Sequence, residues 1–234
     1  MSNKTKISIL IINIILAIFI VVLDILQCFA SSDYICKQIA SINICVLALL
    51  NLLINIIFCK RKNLIVCLFI FLGVVIGSLG DLLIGANFIL GGILFAVGHL
   101  LYIVALYFLS KFTWKEIVVA ILVIAISMVV IFVPYINYGN YLILIVSYAI
   151  ILSFMLSKCV SNFLFNKKNS LNIVLFIAGL LFYFSDKMLL LYAFKGADYI
   201  FDQLCLLMYL PAQIMFAFSI FVASQNNKNK IAKN

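Results

Sequence analysis

Eight apolar stretches, each about the length of a bilayer-spanning helix, follow one another along this chain with only short polar punctuation between them. The hydrocarbon core of a membrane is crossed by roughly 20 apolar residues in helical form. Lipid offers no partner for a backbone N–H or C=O, so a spanning segment must satisfy these groups internally. A β-barrel would show short segments of alternating polarity. Runs such as Ile117 to Val133 do not alternate, and the helix is what remains. Helices are expected over residues 7–28, 39–59, 63–80, 87–110, 115–134, 139–161, 170–192 and 200–223. The expected fold is therefore an all-α polytopic membrane protein of eight transmembrane helices, with residues 1–234 forming one membrane domain.

Composition agrees: 68% of the residues are hydrophobic and 10% charged, with a mean hydropathy of +1.32. Soluble domains are about half apolar and a quarter charged. The N-terminal apolar run reaches about Ile25, longer than a signal-peptide core, so it reads as a retained first helix. The net charge of +9 would point to nucleic acid in a soluble protein. Here it points to topology, because cytoplasmic loops are enriched in Lys and Arg. With the N-terminus inside, 13 of the 16 basic residues fall on the cytoplasmic side, leaving Lys37, Lys187 and Lys195. Both termini are expected in the cytoplasm. The seven cysteines read as small buried hydrophobes, and no spacing suggests a zinc site. Asn51 and Asn55 read as bonds between helices.

Ionisable residues inside such stretches cost about 2.5–3.5 kcal/mol each on insertion scales and are functional candidates for that reason. Asp24, Asp81, His99, Asp186 and Lys187 are the set. Under the expected topology, Asp81, His99 and Asp186 fall between the midplane and the outer leaflet, as do Tyr209 and Gln213. Helical spacing pairs His99 with Tyr102, Tyr183 with Asp186, and Tyr209 with Gln213. More ordinary roles stand beside these. Asp81, near the end of its helix, could cap a helix, and His99 could bond a neighbouring one. Asp24 lies near the interface, where exposure is cheap. Ser185 beside Asp186 leaves a nucleophilic serine barely open. A proton-coupled small-solute transporter would use the same intramembrane groups.

Three segments resemble the signatures of the YhhN-like family, the lysoplasmalogenases. Gly80-Asp81-Leu82-Leu83 followed by Phe88, Gly91, Phe95, His99 and Tyr102 is similar to the first. Phe182-Tyr183-Phe184-Ser185-Asp186-Lys187-Met188-Leu189 is similar to the second, and Tyr209-Leu210-Pro211-Ala212-Gln213 to the third. Lys187 and Pro211 depart from the motifs, and the N-terminal third has no matching signature. The resemblance implies hydrolysis of the vinyl ether bond of a lysoplasmalogen, or a related ether lysolipid, to a fatty aldehyde and a glycerophospho-alcohol. It implies Asp81 and Asp186 as the catalytic pair, with His99, Tyr102, Ser185, Tyr209 and Gln213 binding substrate or orienting water. No cofactor or metal is implied, and the partners are the lysophospholipid and membrane lipid. The abundance of Ile, Asn and Lys suggests a bacterial chain placed in the cell membrane.

Overall fold

The structure, a computed structural model, describes residues 3–29, 35–133, 136–165, 169–196 and 198–225. Among them there are eight α-helices and no strand. They are α1 (Asn3–Phe29), α2 (Ile35–Phe58), α3 (Leu64–Leu83), α4 (Phe88–Leu109), α5 (Trp114–Phe132), α6 (Leu142–Phe165), α7 (Ser170–Lys195) and α8 (Tyr199–Gln225), with a short 3-10 turn at Gly139–Tyr141 before α6. All eight helices are long and apolar enough to cross a membrane. The chain is thus built as a multi-pass helical membrane protein.

Local chemistry sets the ends. The Asn87 side chain accepts from the Leu90 amide (3.0 Å) to start α4, and that of Asn169 accepts from the Asn172 amide (2.8 Å) to start α7. These bonds satisfy amides that have no partner within the first turn. Gly196, at φ 133°, ends α7 in a conformation that suits a residue without a Cβ.

Of the ends that differ from expectation, two bear on the site. Helix α2 begins at Ile35, four residues early, which takes Lys37 into the helix. Helix α3 runs on to Leu83, which places Asp81 inside it. The capping role considered for Asp81 belongs to Asn87.

Most sequential helices pack as hairpins, with α3 against α4 and α7 against α8 in closest association, whereas α4 packs on α6 rather than on α5. Helix α8 is the axle, touching α1, α2, α3 and α7. Of its most apolar span, 67% is buried, against 22% for the peripheral α5. Large apolar side chains such as Ile15, Ile18, Ile121 and Leu122 point outward, while Asn51, Asp81, His99 and Gln213 lie inside. That inversion of a soluble protein suits a lipid exterior. Trp114 is exposed at the first turn of α5, where an amphipathic ring favours the interface.

Small residues let α3 and α4 meet closely. A Cβ on Gly73 would stand 2.4 Å from the ring of Tyr102, and one on Gly98 would stand 3.2 Å from the Gly73 carbonyl. At the far end of the bundle, Asn51 exchanges amide bonds with Asn13 (2.8 and 3.1 Å) and donates to the Ala217 carbonyl (3.1 Å), so α1, α2 and α8 are tied together. Asn55 donates to the Lys62 carbonyl (2.7 Å), closing the turn between α2 and α3.

Lys158, counted above with the cytoplasmic charges, is buried. Its ammonium meets Glu116 at 2.7 Å and the Lys111 carbonyl at 3.1 Å, over the ring of Tyr107. Glu116 also accepts from the Thr113 amide (3.2 Å) at the start of α5. A helix cap and an ion pair share one carboxylate there.

Candidate functional site

Asp186 projects from α7 toward α4 and α6. The hydroxyl of Tyr148, on α6, donates a short hydrogen bond to its Oδ2. The Nε2 of His99, on α4, lies 2.8 Å from the same hydroxyl and 3.5 Å from Oδ2. With the phenol proton committed to the carboxyl, its oxygen accepts from Nε2–H. Among the described residues the buried His99 Nδ1 has no hydrogen-bond partner, so the Nε2–H tautomer leaves only an acceptor unmet and no orphan donor. Phe182 meets the imidazole edge-on at 4.6 Å and fixes its plane. Three helices therefore converge on one carboxyl through a His–Tyr–Asp chain.

Asp81 is held elsewhere. Its Oδ1 pairs with Lys37 Nζ at 2.9 Å, and its Oδ2 accepts from Ser41 at 2.5 Å. Both partners lie on one face of α2, four residues apart. A buried carboxylate is stable when it is both paired and hydrogen-bonded, and Asp81 has each. Asp24 does not lie exposed at the interface as expected. It is 1% exposed, with Cys28 Sγ at 3.8 Å, and is near enough to Asp81 and Lys37 to feel both charges.

Between the two acids stands a rail of neutral polar groups. Tyr102 donates to Gln213 Oε1 (2.9 Å), Gln213 Nε2 donates to Tyr209 Oη (3.3 Å), and Tyr209 donates to the Gly77 carbonyl (3.3 Å). Tyr102 is stacked flat on Phe216 at 3.9 Å. Phe95 and Phe182 pack edge-on against Tyr209 at 5.7 and 5.4 Å. Tyr209 is within electrostatic reach of both Asp81 and Asp186, and among the described residues no hydrogen bond or ion pair joins the two carboxyls directly. Ser185 turns the other way, donating to the Cys205 carbonyl (3.1 Å), so no Ser–His–Asp array is assembled. Among the described residues no cluster of His, Cys, Asp and Glu is placed to hold a metal ion.

A narrow cavity of ≈ 60 Å³ adjoins Asp186. Its walls are apolar, with Ile84, Phe88, Phe95, Leu144, Ile145 and Leu190 among them, and its polar groups are Asp186, Tyr148 and Lys187. Phe88 packs edge-on against Tyr141 (5.6 Å) and Phe194 (5.4 Å). Those two rings help to line a wider cleft with Asn137 and Asn140.

Of the residues singled out in the sequence, His99 and Asp186 come together, as do Tyr102, Tyr209 and Gln213. Asp81 and Ser185 have separate partners. Lys37, Ser41 and Tyr148 were not singled out. Lys37 carries a legible signal, since a cation four residues before a Ser at the start of an apolar helix can present both groups to one acid. Tyr148 has no such signal, because a Tyr in an apolar run is ordinary until its neighbour is known.

Eight apolar helices enclosing buried acids, one of them facing an apolar cavity, define a multi-pass membrane protein with a polar site inside its bundle. The model of the YhhN family matches residues 33–220, and the chain belongs to that family. The match reaches into α2, which holds Lys37 and Ser41, beyond the three motifs. Neither a curated protein nor a solved structure matches the chain.

Proposed function

We propose that the protein hydrolyses the vinyl ether bond of a lysoplasmalogen or a related ether lysolipid within the membrane. The observation that carries this reading is the placement of Asp186. It is a buried carboxyl, bonded to Tyr148 and His99, in the wall of an apolar cavity.

Vinyl ether cleavage begins when an acid delivers a proton to the β-carbon. The α-carbon becomes an oxocarbenium ion, water adds there and loses a proton, and the hemiacetal collapses. One water is consumed, one C–O bond breaks, and aldehyde and glycerol hydroxyl result. Asp186 supplies the proton because it faces the cavity. As a carboxylate it then stands against the cation and takes a proton back from the attacking water, much as a single carboxyl alternates between acid and base in retaining glycosidases. Tyr148 and His99 orient it. Asp81, paired with Lys37 and hydrogen-bonded by Ser41, stands on the other side of Tyr209. Tyr102, Tyr209 and Gln213 hold that separation.

The test is incubation of the purified protein with a lysoplasmalogen and with its saturated ether analogue. Aldehyde from the first alone supports the reading; no turnover of any vinyl ether lipid overturns it. Proton-dependent uptake of a solute into vesicles, without aldehyde release, would favour a transporter instead. We place the protein in the cell membrane of a bacterium, with both termini in the cytoplasm.

A further inference from the structure

Lys187 follows Asp186 directly, where it departs from the motif of the second signature. It is 6% exposed and lines the same cavity. Its ammonium lies over the ring of Tyr183, 4.8 Å from the centroid. The two other cations that reach into the bundle, half-buried Lys37 and buried Lys158, each have a carboxylate close by, Asp81 and Glu116. Among the described residues, no carboxylate comes within ion-pair distance of Lys187. Asp186 is its nearest neighbour along the helix, but consecutive side chains diverge by about 100°, and its carboxyl is engaged by Tyr148 and His99.

A buried cation without a counter-ion is costly unless something else completes it. The aromatic face supplies part of this. The rest of its surroundings are the cavity's apolar walls, which suit a hydrocarbon chain. We infer that Lys187 is the anion-recognising residue of this cavity: it takes the phosphodiester of a single-chain lipid whose chain lies along the apolar walls. The inference rests on the reading of Asp186 as the acid. Among the residues lining the cavity Lys187 is the one cation, and a phosphodiester carries the matching single negative charge. In such a lipid the phosphate and the reacting ether carbon are a glycerol backbone apart. Two adjacent side chains diverging from one helix can address both.

The experiment measures binding rather than turnover, so it stands whether or not the vinyl ether is cleaved. A saturated 1-alkyl-glycerophosphocholine and the matching 1-alkylglycerol, which lacks the phosphate, are titrated against the full-length protein in detergent. The wild type is expected to bind the phosphodiester lipid about tenfold more tightly or better. Lys187→Gln removes that preference by weakening the phosphodiester lipid alone, and Lys187→Arg retains it. Equal affinity of the wild type for the two lipids overturns the inference, even if Lys187→Gln does not fold. So does a folded Lys187→Gln that keeps the preference. Displacement of the lipid by inorganic phosphate alone would mean a free-anion site and would also overturn it. Failure of the proposed function is read separately, as binding of the phosphodiester lipid without aldehyde release from its vinyl ether counterpart.

Discussion

Asp81 and Asp186 are both buried acids, yet they keep different company, and the difference can be tested residue by residue. Asp186→Asn is expected to lower aldehyde release by about 10²- to 10⁴-fold, the usual range for a lost proton donor. Tyr148→Phe removes one hydrogen bond to that carboxyl and should cost about 1.5–3 kcal/mol of barrier, roughly ten- to hundredfold in rate, with the fold kept. Lys37→Met acts differently. It leaves Asp81 buried without its cation, which typically destabilises by about 3–5 kcal/mol. A lower melting temperature in detergent would report it. Adding Asp81→Asn to Lys37→Met should return much of that stability without returning activity. If the double variant melts no higher than the single one, the ion pair is not what holds Asp81.

The helices meet where side chains are small, and this sets expectations for whole elements. Gly73→Ala would drive a methyl group into Tyr102 and push that ring off Phe216 and Gln213. A loss of about 1–3 kcal/mol is expected, seen as a lower melting temperature. Gly92→Ala is the control: its Cβ would stand 3.6 Å from Leu144, in ordinary contact, and stability should not change. Helices α5 and α6 are joined through Glu116 and Lys158. Glu116→Gln should therefore destabilise the protein more than the Glu116→Gln, Lys158→Met double variant, which removes the orphaned cation as well. Much of this architecture was legible in the sequence, because run length and apolarity report membrane helices directly. Boundaries failed where a charged residue was assigned to a loop. Lys37 looked like an outer-loop cation and Asp81 like a helix end, while Lys158, inside its expected helix, was counted with the cytoplasmic charges. Each is inside because its partner on another helix is inside. Such partnerships lie across 42 or 44 residues of sequence, so the residues around one partner do not name the other. The candidate site was half legible for the same reason. Asp81, His99 and Asp186 stand out as costly residues in apolar runs, whereas Ser41 and Tyr148 are cheap there and became visible only through the acids they touch.

For the molecule as a whole, the buried pairs sharpen the expected topology. Setting aside Lys37, Lys158 and Lys187, which lie in the helical bundle, the loops and ends carry twelve basic residues on the proposed cytoplasmic side and one, Lys195, on the other. Reporter fusions at either terminus should read cytoplasmic, and a fusion in the turn after Lys195 should read external. The turn between α2 and α3 adds something. Lys60, Arg61 and Asn63 all take left-handed backbone conformations, at φ 53°, 55° and 49°, which cost an L-residue about 1–2 kcal/mol each. Glycine would fit there without that cost, yet two of the three positions carry positive charge. Replacing Lys60 and Arg61 with glycine should relax the finished turn while removing two of the charges that decide which way the first hairpin enters the bilayer. The outcome to measure is a protein that melts no lower once folded but is delivered in mixed orientation during synthesis. In that turn, the demands of biogenesis and those of the folded state pull in opposite directions.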